Sequence, residues 1–170
     1  MTDLGSAPVP PPDELDHIAG PEGAPLVIEY ADFECPFCAG LTVRLAGRTL
    51  RRVFRHFPVR SSHPRAWPAA CAAEAAGHQG RFWEMHDLLF ADPGRLEDPH
   101  LWERAQRLGL DLDHFDADRR SDAVRERVQR DFLSGVRAGV IATPSLFYGG
   151  QVISGRIDDA ALDAFLPAGH

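Results

Sequence analysis

The chain has 170 residues and a formal net charge of −7, and 44% of its residues are hydrophobic, enough to form the core of one globular domain. All 18 basic residues are arginine, and the absence of lysine excludes Schiff-base chemistry and a phosphate-binding loop that depends on a lysine. The negative charge argues against nonspecific nucleic-acid binding, so no nucleic-acid partner is expected.

The sequence contains no run of 18 apolar residues, which predicts no transmembrane helix and no membrane insertion. The first 17 residues lack the basic and apolar regions of a secretory signal peptide. We therefore expect a cytoplasmic protein, or a periplasmic or otherwise extracytoplasmic one if a leader has been removed.

Charge is unevenly distributed along the chain. Residues 1–43 include eight acidic residues and no basic one, whereas residues 44–65 include seven arginines and no acidic residue. We expect this basic segment to face the acidic amino-terminal arm. A docking patch for an acidic partner is the alternative.

The period of the apolar residues predicts strand, helix, strand, a long helical block, two strands and a final helix. The predicted strands are 26–30, 51–59, 144–148 and 151–154. The predicted helices are 35–45 with an extension towards 50, 66–78, 82–89, 98–108, 113–120, 121–136 and 158–166.

Individual residues support these boundaries. Pro36 suits a first helical turn, Pro58 ends a strand, and the Asp98-Pro99 pair is typical of an N-cap followed by the first helical residue. The element order predicts one structural domain with three parts. These are an extended, partly disordered acidic arm (1–22), an α/β core (23–65 and 139–166) and a helical insertion (66–138).

The segment Cys35-Pro-Phe-Cys38 has the spacing of a redox pair. An i, i+3 spacing places both sulfurs on one face of a helical turn, close enough to bond. Cys35 would lie at the helix N-terminus, where free N–H groups and the helix dipole favour the nucleophilic thiolate. Cys38, one turn deeper, is suited to resolve a mixed disulfide formed at Cys35.

Half of a zinc site is an alternative for the same two cysteines. Zinc needs four ligands, and the sequence has no second CxxC, so His56, His63 or His78 would have to contribute through folding. An inert structural pair is a further alternative. We expect neither a metal nor an organic cofactor.

Four segments resemble the DsbA-like branch of the thioredoxin superfamily. Residues 23–38 resemble its active-site segment, and residues 53–58 and 79–90 resemble segments common in the bacterial members, some of which are fused to sodium/proton antiporters. Residues 139–147 resemble the cis-proline segment. The resemblance covers 23–166. It implies an α/β thioredoxin fold with an all-helical insertion between the second and third core strands, and thiol–disulfide oxidoreductase activity.

The resemblance also implies roles for individual residues. Cys35 matches the attacking cysteine and Cys38 the resolving one, while Glu29 matches a buried acid that takes the proton from Cys38. Pro144 matches the cis-proline opposite the disulfide, which leaves the backbone of Thr143 free to pair with a substrate segment. The alternative for Glu29 is a strand glutamate that reaches solvent or pairs with an arginine. Without the resemblance, a trans Pro144 at the start of a strand is the expectation.

The middle dipeptide departs from the best-known oxidant of the family, because Phe37 replaces a histidine that would stabilise the thiolate. Pro36 and Phe37 are expected to contact substrate, and the nearby carboxylates of Asp32 and Glu34 are expected to oppose the thiolate. We therefore expect a Cys35 pKa below about 8.5 and above about 3.5. The reduction potential should lie between about −270 and about −120 mV, nearer the reducing end.

The remaining candidates are weaker. Cys71 lies among alanines and is expected to be a small buried hydrophobe, with a regulatory or dimerising thiol as the alternative. Phe33 is expected to join Phe37 in an apolar substrate surface.

The expected substrates are protein or small-molecule thiols and disulfides, with an unidentified redox-recycling partner. The alternatives are a non-catalytic redox-sensing or partner-binding module and a glutathione-linked transferase or isomerase on the same fold.

Overall fold

The computed structural model describes residues 7–168, which form a mixed five-stranded sheet with helices on both faces. The strands lie in the order β1-β3-β2-β4-β5, with β2 and β3 parallel and all other neighbours antiparallel. Their bounds are β1 His17–Ala19, β2 Leu26–Ala31, β3 Arg51–His56, β4 Ser145–Tyr148 and β5 Gln151–Ser154.

Five of the helices occupy the interval between β3 and β4, which confirms the predicted helical insertion between the second and third core strands. The helices are α1 Pro36–Ala46, α2 Ala66–His78, α3 Phe82–Ala91, α4 Asp98–Arg107, α5 Leu112–Arg119, α6 Asp122–Arg137 and α7 Asp159–Phe165. The bounds of α2 coincide with the prediction, and β4 and β5 form the predicted hairpin around Gly149 and Gly150.

The side chains of β2 alternate between the two faces of the sheet, so this strand contributes to the core on both sides. Val27 packs with apolar residues of α1 and α7, and Ala31 packs on the same face with residues of α2 and α3. Ile28 and Tyr30 point to the opposite face and pack against α6. The face that carries Val27 and Ala31 therefore lies beneath α1. Glu29 lies on this face too, because it stands between these two residues in the alternation along β2.

Several predicted boundaries differ from the structure. Helix α1 ends at Ala46 and leaves Leu50 outside, and β3 ends at His56 rather than at residue 59. Helix α4 begins at Asp98, but its N-cap is Glu97. Val136, the last residue of the predicted helix 121–136, is half exposed, because Gly135 and not Val136 lies on the face of α6 that packs against Phe57 and Tyr30.

The arm contains a strand that the sequence analysis did not predict. Strand β1 pairs antiparallel with β3, and the buried Arg55 guanidinium binds the Asp16 carboxylate and donates hydrogen bonds to the carbonyl oxygens of Pro10 and Pro11. The Asp16–Arg55 pair confirms that the arm faces the arginine-rich segment. Residues 1–6 of the predicted disordered arm lie outside the described residues, and the division of the chain into three parts stays a prediction.

Within residues 7–168, none of the helices combines the length and apolar character needed to cross a membrane.

Candidate redox site

Cys35 is the N-cap residue of α1, and its extended backbone leads directly into Pro36 at the first helical position. The proline ring fixes a helical φ and removes an N–H that would have no partner in the first turn, so it starts the helix at this point. The Cys35 N–H donates to the Asp32 carbonyl oxygen at 3.1 Å, and this hydrogen bond holds the approach to the helix in a turn. The predicted position of Cys35 at a helix N-terminus is confirmed.

The Cys35 sulfur is buried and lies 3.5 Å from the Thr143 carbonyl oxygen, to which the protonated thiol donates a hydrogen bond. The pKa of Cys35 is lowered to about 6, chiefly because the Cys38 thiol donates a hydrogen bond to its sulfur. Burial opposes this shift, whereas the N–H groups of Cys38 and Phe37 and the Thr143 side chain add to it. This value confirms the expected range, and most of the thiol is ionised at neutral pH.

The Cys38 thiol has the opposite character. It is fully buried, and its sulfur accepts a hydrogen bond from the Asp32 N–H at 3.5 Å. Burial raises the pKa of Cys38 well above its usual value, and the neighbouring Cys35 and the negative charge of Glu29 raise it further. The pair therefore consists of one thiolate at the N-terminus of α1 and one protonated thiol a turn deeper in the helix.

A cis peptide bond joins Thr143 to Pro144, directly before β4. The chain turns here so that the Thr143 carbonyl oxygen faces the Cys35 sulfur. The Pro144 carbonyl oxygen accepts a hydrogen bond from the Gly155 N–H at 2.8 Å, which ties this loop to the end of β5. The cis-proline position that the resemblance implied is present in the structure.

Glu29 is buried in β2 and forms an ion pair with Arg52 on β3, with 3.1 Å between Glu29 Oε2 and the Arg52 guanidinium. The structure thus combines the buried acid that the resemblance implied with the arginine partner that was its alternative. The other carboxylate oxygen, Oε1, is buried and has no hydrogen-bond partner among the described residues. Its negative charge acts on the Cys38 thiol and raises the pKa of that group.

The two phenylalanines near the cysteines lie in different environments. Phe37 is 50% exposed beside Cys35, and Pro36 is also exposed, as expected for substrate-contacting residues. Phe33 is only 1% exposed and packs against Phe54 and Phe90, at ring centroid distances of 5.3 and 4.7 Å. The expectation that Phe33 joins an exposed substrate surface is wrong, because its ring points into the insertion core.

The two carboxylates expected to oppose the thiolate are both engaged elsewhere. Asp32 accepts hydrogen bonds from the Val59 N–H at 2.8 Å and from His63 at 2.9 Å, and Glu34 forms an ion pair with Arg65. These contacts anchor the loop before Cys35 to the segment after β3. No local pattern in the sequence signals this role of His63 and Arg65, because 31 residues separate the partners.

Cys71 is buried in α2, and burial raises its pKa to about 11. A protonated, inaccessible thiol is unreactive, which agrees with the expected role as a small hydrophobe. Among residues 7–168, no three His, Cys, Asp or Glu side chains lie together in positions that could hold a metal ion.

Comparison with known proteins places this arrangement in a family. A family model described as Thioredoxin matches residues 13–168. The structure of a thioredoxin-like oxidoreductase from Silicibacter pomeroyi superposes with a TM-score of 0.80 and 25% identity, covering 89% of this chain and 90% of that one. The thiol-disulfide exchange protein alpha-DsbA2 from Wolbachia pipientis gives a TM-score of 0.78 at 19% identity, covering 90% and 86% of the two chains.

The curated sequence relatives are named as antiporters, and the chain matches only part of each. The chain is 45% identical over 174 residues to the Na(+)/H(+) antiporter NhaA of Herminiimonas arsenicoxydans, a match that covers 98% of this chain and 28% of that protein. It is 46% identical over 165 residues to the antiporter NhaA 1 of Salinispora arenicola, covering 92% and 25%. The chain thus spans about a quarter of these curated relatives, consistent with a domain fused to an antiporter. Because the family model matches almost the whole chain, from residue 13 to residue 168, the chain belongs to the thioredoxin family.

Proposed function

We propose that the protein is a thiol–disulfide oxidoreductase that acts through Cys35 and Cys38. The observation that supports this most strongly is the opposite displacement of the two pKa values one helical turn apart. The pKa of Cys35 is lowered to about 6, and the pKa of Cys38 is raised well above its usual value. One sulfur is thus ready to attack at neutral pH, and the other stays protonated until it is needed.

The reaction proceeds in two exchanges. The Cys35 thiolate attacks one sulfur of a substrate disulfide, the substrate S–S bond breaks, and the released thiolate takes up a proton. Cys38 then loses its proton and attacks the Cys35 sulfur, which releases the second substrate thiol and leaves a Cys35–Cys38 disulfide. The substrate gains two electrons and two protons, and the reverse sequence oxidises a dithiol.

Glu29 is proposed to take the proton from Cys38 in the second exchange. Its Oε1 atom is buried without a hydrogen-bond partner among the described residues, whereas Oε2 is bound to Arg52. A buried acceptor without a donor is uncommon and suggests a functional use. The negative charge of Glu29 acts on Cys38, so its position is compatible with this transfer.

Substrate contact is proposed at Pro36, Phe37, Thr143 and Pro144. The half-exposed Phe37 ring offers apolar surface next to the attacking sulfur. The backbone of Thr143 faces the same sulfur and offers hydrogen bonds to an extended substrate segment. Two of the related structures are described as an oxidoreductase and a thiol-disulfide exchange protein, which supports this class of substrate.

The two cysteines have distinguishable roles in a trapping experiment. Cys38→Ser should accumulate a mixed disulfide between Cys35 and a peptide disulfide, because the resolving thiol is missing, and Cys35→Ser should form none. Cys71→Ala serves as the control and should behave as the wild type, since its thiol is buried. Equal trapping by both serine variants, or none by either, would contradict the proposal.

Turnover separates the proposal from the two other functions considered. An oxidoreductase should reduce many equivalents of a disulfide when a reductant is supplied, whereas a sensor stops after one. A glutathione-linked transferase should instead bind glutathione saturably after both cysteines are alkylated.

A further inference from the structure

A cavity of about 230 Å³ opens on the face of α1 that begins with Pro36 and Phe37, the two residues that follow the attacking cysteine. It extends along the helix to Gly40 and Arg44, and its far wall comes from Arg156 in the segment between β5 and α7. Two guanidinium groups line this small space, although the chain as a whole is acidic. Neither arginine has a role in the two exchange steps.

Arg44 reaches this cavity because Gly40 has no side chain. A Cβ atom on Gly40 would lie 3.0 Å from Arg44 Nη1, so the guanidinium occupies the space one turn closer to the helix N-terminus. Its nearest carboxylate belongs to Asp159, at 3.7 Å from Arg44 Nε, which is longer than a hydrogen bond. Arg44 Nε is itself buried and has no hydrogen-bond partner among the described residues, so the outer guanidinium nitrogens are the donors that face the cavity.

Arg156 follows Gly155, a residue that is hydrogen-bonded to the cis-proline segment. The Gly155 N–H donates to the Pro144 carbonyl oxygen at 2.8 Å, and the adjacent Thr143 carbonyl accepts from Cys35. Arg156 itself is exposed, and none of residues 7–168 forms a hydrogen bond or an ion pair with its side chain. A second guanidinium, with no partner among the described residues, therefore faces the cavity. It belongs to a loop that is hydrogen-bonded to the cis-proline.

We propose that Arg44 and Arg156 bind a carboxylate of the disulfide substrate, so that the site prefers short peptide disulfides with a carboxylate near the reacting cysteine. This inference rests on the proposed oxidoreductase function and assigns its substrate class. Guanidinium groups bind carboxylates through paired, charge-assisted hydrogen bonds. A neutral or cationic substrate group cannot form these bonds.

The geometry sets the spacing between the substrate sulfur and its carboxylate. Pro36 and Gly40 are one turn apart, about 6 Å along the helix axis. An extended peptide spans about 3.5 Å per residue, so the carboxylate should lie one or two residues from the attacked sulfur. A free tripeptide thiol and an acidic segment of a longer chain both meet this requirement.

The reaction is the first exchange described above, with the carboxylate as a positioning group only. The Cys35 thiolate bonds to the sulfur of the bound half, the substrate S–S bond breaks, and the other half leaves as a thiolate that is then protonated. The carboxylate stays on its arginines and changes neither charge nor oxidation state.

The test compares glutathione disulfide with its glycyl ethyl ester, which has the same shape but lacks two carboxylates, in single-turnover reactions with the reduced protein. Each rate is divided by that for dithiothreitol with the same disulfide, which removes the intrinsic reactivity. We expect a preference of about fivefold for the free acid. Arg156→Gln and Arg44→Gln should each reduce this preference to about twofold or less.

Arg107→Gln is the matched control, because it removes one positive charge from α4 in the insertion and should leave the preference unchanged. The ratio of the two rates also cancels any change in the Cys35 pKa. A second pair, heptapeptide disulfides with Asp or Asn beside the cysteine, identifies the source of the carboxylate. A preference in either pair that depends on Arg156 supports the proposal.

Two results would overturn the inference, and they are distinguishable. If the normalised rates show no preference for the carboxylate in either pair of disulfides, the oxidoreductase function stands and the carboxylate site does not. If the reduced protein reacts with none of these disulfides, the proposed function fails and the inference fails with it.

Discussion

Replacing Cys38 with alanine should raise the pKa of Cys35, because the Cys38 thiol is the principal hydrogen-bond donor to the Cys35 sulfur. The pKa of Cys35 lies at about 6 rather than 9.0. Three pKa units correspond to about 4 kcal/mol in favour of the thiolate. The N–H groups of the first turn and the Thr143 side chain remain in the variant. We therefore expect a partial rise of at least one unit, to about 7 or higher.

The assay is the pH dependence of Cys35 alkylation by iodoacetamide, with the ultraviolet absorbance of the thiolate as a second measure. The wild-type rate should rise with pH through a midpoint near 6 and then reach a plateau, since only the thiolate reacts. In the Cys38→Ala variant the midpoint should move to higher pH. A rate at a single pH is less informative, because a more basic thiolate is also more nucleophilic and offsets part of its lower abundance.

A midpoint that stays near 6 in Cys38→Ala would refute this reasoning. It would show that the helix N-terminus alone stabilises the thiolate. Cys71→Ala provides the control for loss of a buried cysteine in α2, and its midpoint should equal that of the wild type.

Three further predictions concern stability and reactivity. Glu74→Gln should lower the free energy of unfolding in urea by about 3 kcal/mol, because it replaces a buried carboxylate that binds two histidines at 2.7 Å. A loss below about 1 kcal/mol would contradict this. Gly135→Ala should cost about 1–3 kcal/mol in the same assay, since its Cβ would lie 2.7 Å from the Phe57 ring. Gly47→Ala is the control and should cost little stability, because its Cβ would lie 3.8 Å from the nearest atom and its φ is ordinary. An equal loss of stability in both variants would argue against close packing at α6. Mass spectrometry of the folded, reduced protein should show Cys71 unmodified by iodoacetamide at pH 8, because its pKa is raised to about 11; rapid labelling would contradict its burial.

Local sequence signals predicted the part of the site that lies on a single element. Pro36 determines where α1 begins, so the sequence alone places Cys35 at the N-terminus and Cys38 one turn inside. The bounds of α2 and the hairpin at Gly149 and Gly150 also follow from local signals, because helix propensity and turn chemistry act over a few residues.

Features that depend on distant partners were not predictable in the same way. Strand β1 has three residues, too few for a periodic pattern, and it is defined by pairing with β3. The burial of Phe33 depends on the rings of Phe54 and Phe90 from other elements. A position next to the cysteines in sequence does not determine which way a side chain points.

The polar surroundings of the site show the same limitation. Asp32 and Glu34 appear from the sequence to be free negative charges near Cys35. Their charges are instead compensated by His63 and Arg65, which a separate loop supplies. The resemblance to the DsbA-like branch identified the cis Pro144, which propensity alone would have assigned as trans.

The lowered pKa of Cys35 has a calculable effect on the redox pair. At pH 7, a pKa of about 6 instead of 9.0 stabilises the reduced form by about 1.4 kcal/mol, equivalent to about 30 mV. The same calculation for a cysteine with a pKa near 3.5 gives about 100 mV. The Cys35–Cys38 disulfide should therefore be a weaker oxidant than that of DsbA.

The most direct test of this account is the reduction potential of the Cys35–Cys38 pair, measured by equilibrating the protein with glutathione buffers of known ratio. We expect a value between about −270 and about −200 mV, which suits a reductant that draws electrons from a recycling partner in the cytoplasm. A value near −120 mV would contradict the link between the Cys35 pKa and the potential, and would favour a disulfide donor acting outside the cytoplasm. Failure to form the disulfide at any glutathione ratio would contradict the central claim that these two cysteines are a redox pair.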